Sequence, residues 1–76
     1  MDYTVLLHPA AEGGYWTEVP ALPGCLSQGE TIEEALTNIR DAIESHIAVL
    51  REDGAEITGD GGLLIGRVNV KVVPAA

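Results

Sequence analysis

Cysteine occurs once in these 76 residues, at position 25, and a single thiol excludes an internal disulfide. The two histidines beside it fall short of a zinc ligand set. Basic residues are scarce, four against twelve acidic ones, for a formal charge of −8. A protein that binds nucleic acid by itself carries a basic footprint, and this chain has none. No apolar run reaches the length that spans a bilayer. No charged-then-apolar leader opens the chain, and its absence points to the cytoplasm. Gly59-Asp60-Gly61-Gly62 is glycine-rich, but no lysine follows and no helix starts there, so it reads as a connection rather than a phosphate loop.

What is present is a folded chain, 46% hydrophobic. There is no internal repeat and no second domain, so residues 1–76 read as one domain. A chain this short buries only about 60% of its unfolded surface and is marginal unless it oligomerises or binds a partner. The acidity is uneven. Residues 1–29 carry Asp2, Glu12 and Glu18 with no Lys or Arg, and residues 30–53 carry seven acids against Arg40 and Arg51. A basic protein partner suits such a surface, because complementary charge speeds association. The plainer reading is an acidic face kept for solubility.

The hydrophobic pattern predicts an α+β fold in the order β-β-β-α-β, a small antiparallel sheet with one helix on one face. Residues 3–8 alternate, with Tyr3, Val5 and Leu7 on one side and Leu6 and His8 on the other. Residues 15–19 form a second strand, Tyr15, Thr17 and Val19 opposing Trp16 and Glu18. The six-residue connection between them favours a hairpin. Pro20, Pro23 and Gly24 then make a rigid turn that a strand cannot cross. Residues 25–28 form a short third strand, and Gly29 permits the turn after it. Thr31 and Glu34 have capping-box spacing, which starts a helix at Ile32. Ile32, Leu36, Ile39, Ile43, Ile47 and Leu50 recur at helical steps over about twenty residues, and Gly54 is a natural stop. Residues 63–73 read as a long final strand, with Leu64, Val68, Val70 and Val72 on one face and Arg67, Asn69 and Lys71 on the other. Leu6 and Trp16 lie opposite the helix-facing side chains, where a second copy or a partner could cover them.

Catalytic groups do not converge in this sequence. Cys25 has no adjacent base or helix start to lower its pKa and reads as a small buried hydrophobe. His46 sits beside the apolar stripe of the helix, and His8 reads as an exposed edge residue. Glu33, Glu34, Asp41 and Glu44 form a solvated helix surface rather than a metal site. The expectation is a protein with no catalytic residue, no metal and no cofactor.

Tyr3, Gly14-Tyr15, Val19-Pro20, Leu22-Pro23-Gly24-Cys25, Gly29, Thr31, Glu34-Ala35, Asn38 and Ala42, in this order, resemble the HicB family of type II antitoxins. The resemblance covers residues 1–53 and, loosely, the last strand. It implies a partial RNase H-like fold that has lost nuclease chemistry, and Tyr3, Val5 and Leu7 indeed stand where metal-binding carboxylates would be needed. It also implies a partner: the family domain binds and occludes HicA, a small basic mRNA interferase. Many family members continue into a DNA-binding domain. Here residues 1–76 are expected to be a single HicB-like domain without one, so neither direct nucleic-acid binding nor autoregulation is carried over. The final strand and the 74–76 tail look like those of short, single-domain members. The leading expectation is an antitoxin that masks a HicA-like toxin, with Trp16 and Glu18 in contact with it. The alternative is a stand-alone scaffold or regulatory module, a homo-oligomer (dimer or tetramer) built on the same fold.

Overall fold

The computed structural model describes residues 1–74. Three strands, β1 (Leu6–Pro9), β2 (Tyr15–Glu18) and β3 (Leu26–Gly29), precede one helix, α1 (Ile32–Glu52). The strands pair antiparallel in the order β1-β2-β3. This is the expected α+β sheet and helix.

Each boundary has a local cause. Leu6 pairs with Glu18, so the same register carried back would place Thr4 opposite Pro20. Proline has no N–H to give the ladder, and the Val19 carbonyl is already taken by the Leu22 N–H at 3.0 Å. Pairing therefore begins at Leu6 rather than at residue 3. The Pro20–Gly24 segment makes two successive turns, the second closed by the Cys25 N–H to the Leu22 carbonyl at 3.0 Å. Val19, Leu22 and Cys25 are thereby directed inward, where they form the core with Ile39 of the helix.

The helix starts where the capping pattern places it. Thr31 has extended backbone, and its hydroxyl accepts the Glu34 N–H at 3.0 Å. The Glu34 carboxylate reaches back to the Glu30 N–H at 3.3 Å, one residue before its usual capping-box target. The helix ends in a Schellman motif. Gly54, at φ +75°, donates to the Arg51 carbonyl and Ala55 to that of Leu50.

Gly29 has a role that its sequence position does not reveal. Its φ is not positive. A Cβ there would instead collide with the Ala35 nitrogen and fall 2.8 Å from the Ala35 Cα. The helix backbone thus lies directly on the end of β3, with Ala35 fully buried. The Asn38 amide adds a hydrogen bond to the Gln28 carbonyl at 2.8 Å.

The predicted fourth strand is the point of disagreement. Residues 63–74 pair with no strand and are exposed. Their alternation is real, but a strand needs a ladder partner and the chain supplies none to this segment. Of the 74–76 tail, Ala75 and Ala76 lie outside the described residues.

Gly29→Ala is expected to destabilise the fold by about 1–3 kcal/mol, the usual cost of overpacking. Thr37→Ala, at an exposed helix position, should change stability by no more than about 0.5 kcal/mol. Urea unfolding followed by far-ultraviolet circular dichroism compares the two; equal midpoints would refute the close-approach role of Gly29.

Candidate partner-binding face

The helix covers one face of the sheet and leaves the other in water. The register assigns the outer face. His8 stands opposite Trp16, and Trp16 opposite Gln28; Leu6 stands opposite Glu18, and Glu18 opposite Leu26. Alternation then puts Leu6, His8, Trp16, Glu18, Leu26 and Gln28 on this side. Trp16 is 41% exposed and Leu26 59% exposed. Thr17, between Trp16 and Glu18, points the other way and is fully buried.

The side chains at the centre of this face hold one another in place. The His8 and Trp16 rings stack with centroids 3.9 Å apart and planes 12° apart. His8 Nε2 lies 2.7 Å from Glu18 Oε2. A carboxylate can only accept, so the proton of that bond is on Nε2. More than a third of each partner's side chain is exposed, so the contact contributes about 0–1 kcal/mol. Its effect is to fix the Glu18 carboxylate beside the indole.

An acidic rim adjoins the aromatic. Glu12, Glu30 and Glu34 line a cleft shared with Trp16, Gln28, Tyr15 and Asn38. The cleft brings together the hairpin turn, the outer face and the first turn of α1. A basic, partly apolar surface is its chemical complement. Trp16 and Glu18, the two contact candidates from the sequence, thus share one face. The sequence places His8 on the Leu6 side as an edge residue but does not join it to Trp16 and Glu18, and it does not single out Leu26, Glu12 or Glu30 for this face. The cross-strand register sets His8 opposite Trp16 and Leu26 opposite Glu18, while the hairpin turn and the start of α1 bring Glu12 and Glu30 to the rim.

The remaining singled-out residues are structural here. Pro20, Pro23 and Gly24 form the turn, Gly29 the close approach, and Thr31 with Glu34 the cap. Cys25 is buried within the core, and burial pushes its thiol pKa up. A nucleophilic cysteine needs the opposite shift. His46 borders the same shallow depression as Cys25, but among the described residues no hydrogen bond joins them. The described residues contain no cluster of three His, Cys, Asp or Glu placed to hold a metal. No described helix is long and apolar enough to cross a membrane.

Residues 3–63 match the sequence model of a family described as the HicB-like antitoxin of bacterial toxin–antitoxin systems. A UPF0150 protein of Thermoplasma acidophilum is 45% identical over 60 residues, which cover 79% of this chain and 87% of that one. Antitoxin HicB 1 of Photorhabdus laumondii is 42% identical over 57 residues. That match covers 75% of this chain and 37% of the antitoxin. Other curated relatives are matched over little more than half their length. The crystal structure of the Burkholderia pseudomallei antitoxin HicB superposes with a TM-score of 0.70 at 26% identity, covering 95% of this chain and 75% of that one. The three-stranded antiparallel sheet followed by a helix is thus the HicB antitoxin fold.

The burial of Cys25 has a direct readout. In the native protein the thiol should react with a disulfide reagent at neutral pH only at the rate at which the fold opens, and rapidly once unfolded in urea. Fast native labelling would place the thiol at the surface and reopen a nucleophilic role.

Proposed function

The chain belongs to the HicB-like antitoxin family of bacterial toxin–antitoxin systems, and from that premise we propose that it binds and occludes a small basic HicA-like mRNA interferase in the cytoplasm without chemistry of its own. The carrying observation is the outer face, where an exposed aromatic is held beside a fixed carboxylate and an acidic rim. An enzyme that cleaves RNA presents cations to phosphates. A carboxylate-rimmed surface competes for those cations, and a central tryptophan supplies the apolar anchor that charge alone does not. Masking needs no catalytic residue, metal, cofactor or direct contact with nucleic acid. It is also consistent with a buried Cys25 whose pKa is raised.

A second reading, a stand-alone homo-oligomeric module of the same fold, is favoured by a different observation. Seven large apolar side chains between Leu63 and Val73 are exposed in the single chain. The stand-alone reading dispenses with a toxin, whereas self-association by itself is compatible with either, since a self-associated module can still present its outer face.

Trp16→Ala combined with Glu18→Arg is expected to weaken binding to a cognate HicA-like toxin by at least about tenfold, from loss of an aromatic anchor and reversal of a charge. Unfolding stability should change little, because both residues lie outside the core. Calorimetric titration and an RNA-cleavage inhibition assay measure the effect. Unaltered inhibition by the double variant would remove this face from the interface.

A further inference from the structure

Three features of the structure fit one another: an open sheet edge, the groove beside it and the unpaired segment that follows Gly62. β1 is an outer strand, paired only with β2, and its other side is an open edge. Beside the residues that lead into β1 lies a groove of about 480 Å³ between the N-terminal segment and the helix, lined by Tyr3, Val5, Leu36, Ile39, Ile43 and Ile47 among others. It is several times the roughly 150 Å³ cavity that takes up benzene, so it has room for a row of aliphatic side chains.

Residues 63–73 have the complementary pattern. Leu64, Val68, Val70 and Val72 alternate along one side and are 90%, 85%, 71% and 84% exposed. Arg67, Asn69 and Lys71 occupy the other. The segment carries two cations and no acid, whereas residues 1–53 carry ten acids and two bases. Pattern and charge both direct it onto the body of this same protein.

The chain does not lay the segment on its own edge. Residues 58–60 are fastened to Tyr3 and Thr4, just before β1. The Tyr3 hydroxyl donates to the Thr58 carbonyl at 2.6 Å. The Thr4 N–H and hydroxyl donate to the two Asp60 carboxylate oxygens, each at 2.7 Å. A tight turn follows at once, with the Leu63 N–H bonded to the Asp60 carbonyl at 3.2 Å and φ of +64° and +82° at Gly61 and Gly62. Positive φ at both central residues marks a turn that reverses the chain. The segment then leaves the body, and the molecule measures 56 × 28 × 19 Å.

We propose that residues 63–73 form the fourth strand of a second copy's sheet, two copies exchanging the segment reciprocally. Each lays it along the other's β1 edge. Leu64, Val68, Val70 and Val72 enter the other copy's groove, and Arg67 and Lys71 join Leu6 and His8 on the outer face. The exchange goes beyond the toxin-masking reading and holds with or without a toxin bound.

Sedimentation and native mass spectrometry of the full chain at micromolar concentration should give twice the 8.0 kDa chain mass. Val68→Asp with Val70→Asp should return it to a folded monomer. A second measurement locates the contact. Both copies carry Cys25→Ser; one is nitrogen-15 labelled, and the other also carries a nitroxide at Asn69→Cys. Broadening of the β1 amides in the labelled copy is the expected result. A monomeric native chain, a dimer whose β1 amides stay sharp, or broadening only when label and nitroxide share one chain would each overturn the exchange.

Discussion

Where β3 ends, the helix backbone occupies the space that any side chain on Gly29 would need. That contact sets the position of nearly everything else. Ala35 is buried against the strand, and Ile39, one turn on, enters the core with Val19, Leu22 and Cys25. The Thr31 cap fixes the first helical residue, and the Asn38 amide ties the next turn to the Gln28 carbonyl. A helix fixed at its start by packing and capping together needs little further support to lie along the sheet.

Fixing the helix on one side exposes the other. A single helix covers one face of a three-stranded sheet, and in β2 the alternation sends Thr17 inward and Trp16 outward. The outer face is then organised by cross-strand neighbours, with the His8 ring stacked on the indole and bonded to Glu18. Such pairs are weak in water, and they matter here for geometry more than for stability. They hold an anchor and a charge in fixed relation before any partner arrives, which reduces the ordering cost of association.

The sheet and helix were legible because their signals are local. Thr31 and Glu34 specify a cap, Pro20 and Pro23 stop a strand, and the spacing of Ile32, Leu36, Ile39 and Ile43 has the helical period. The role of Gly29 was not legible, because a close approach depends on where the helix lies rather than on φ. The contacts of His8 on the outer face were not legible for a related reason: its partners Glu18 and Trp16 are ten and eight positions away, and only the register joins them. The alternation in residues 63–73 predicts a strand, whereas the structure pairs this segment with none. Periodicity states which face is apolar but not which chain supplies the ladder. The sequence therefore leaves open whether such a segment pairs within its own chain or between chains.

The two surfaces meet on β1, and this has a consequence for charge. The acidic rim of Glu12, Glu30 and Glu34 lies toward the hairpin turn, β3 and the start of the helix. An exchanged strand adds Arg67 and Lys71 beyond β1, at the opposite edge of the same outer face. The face then carries carboxylates at its hairpin-turn and helix-start end and cations past β1. A surface of one sign attracts a basic partner in many orientations. A graded one penalises the reversed orientation, because like charges then meet. Self-association would in this way favour one orientation of a basic partner on this face.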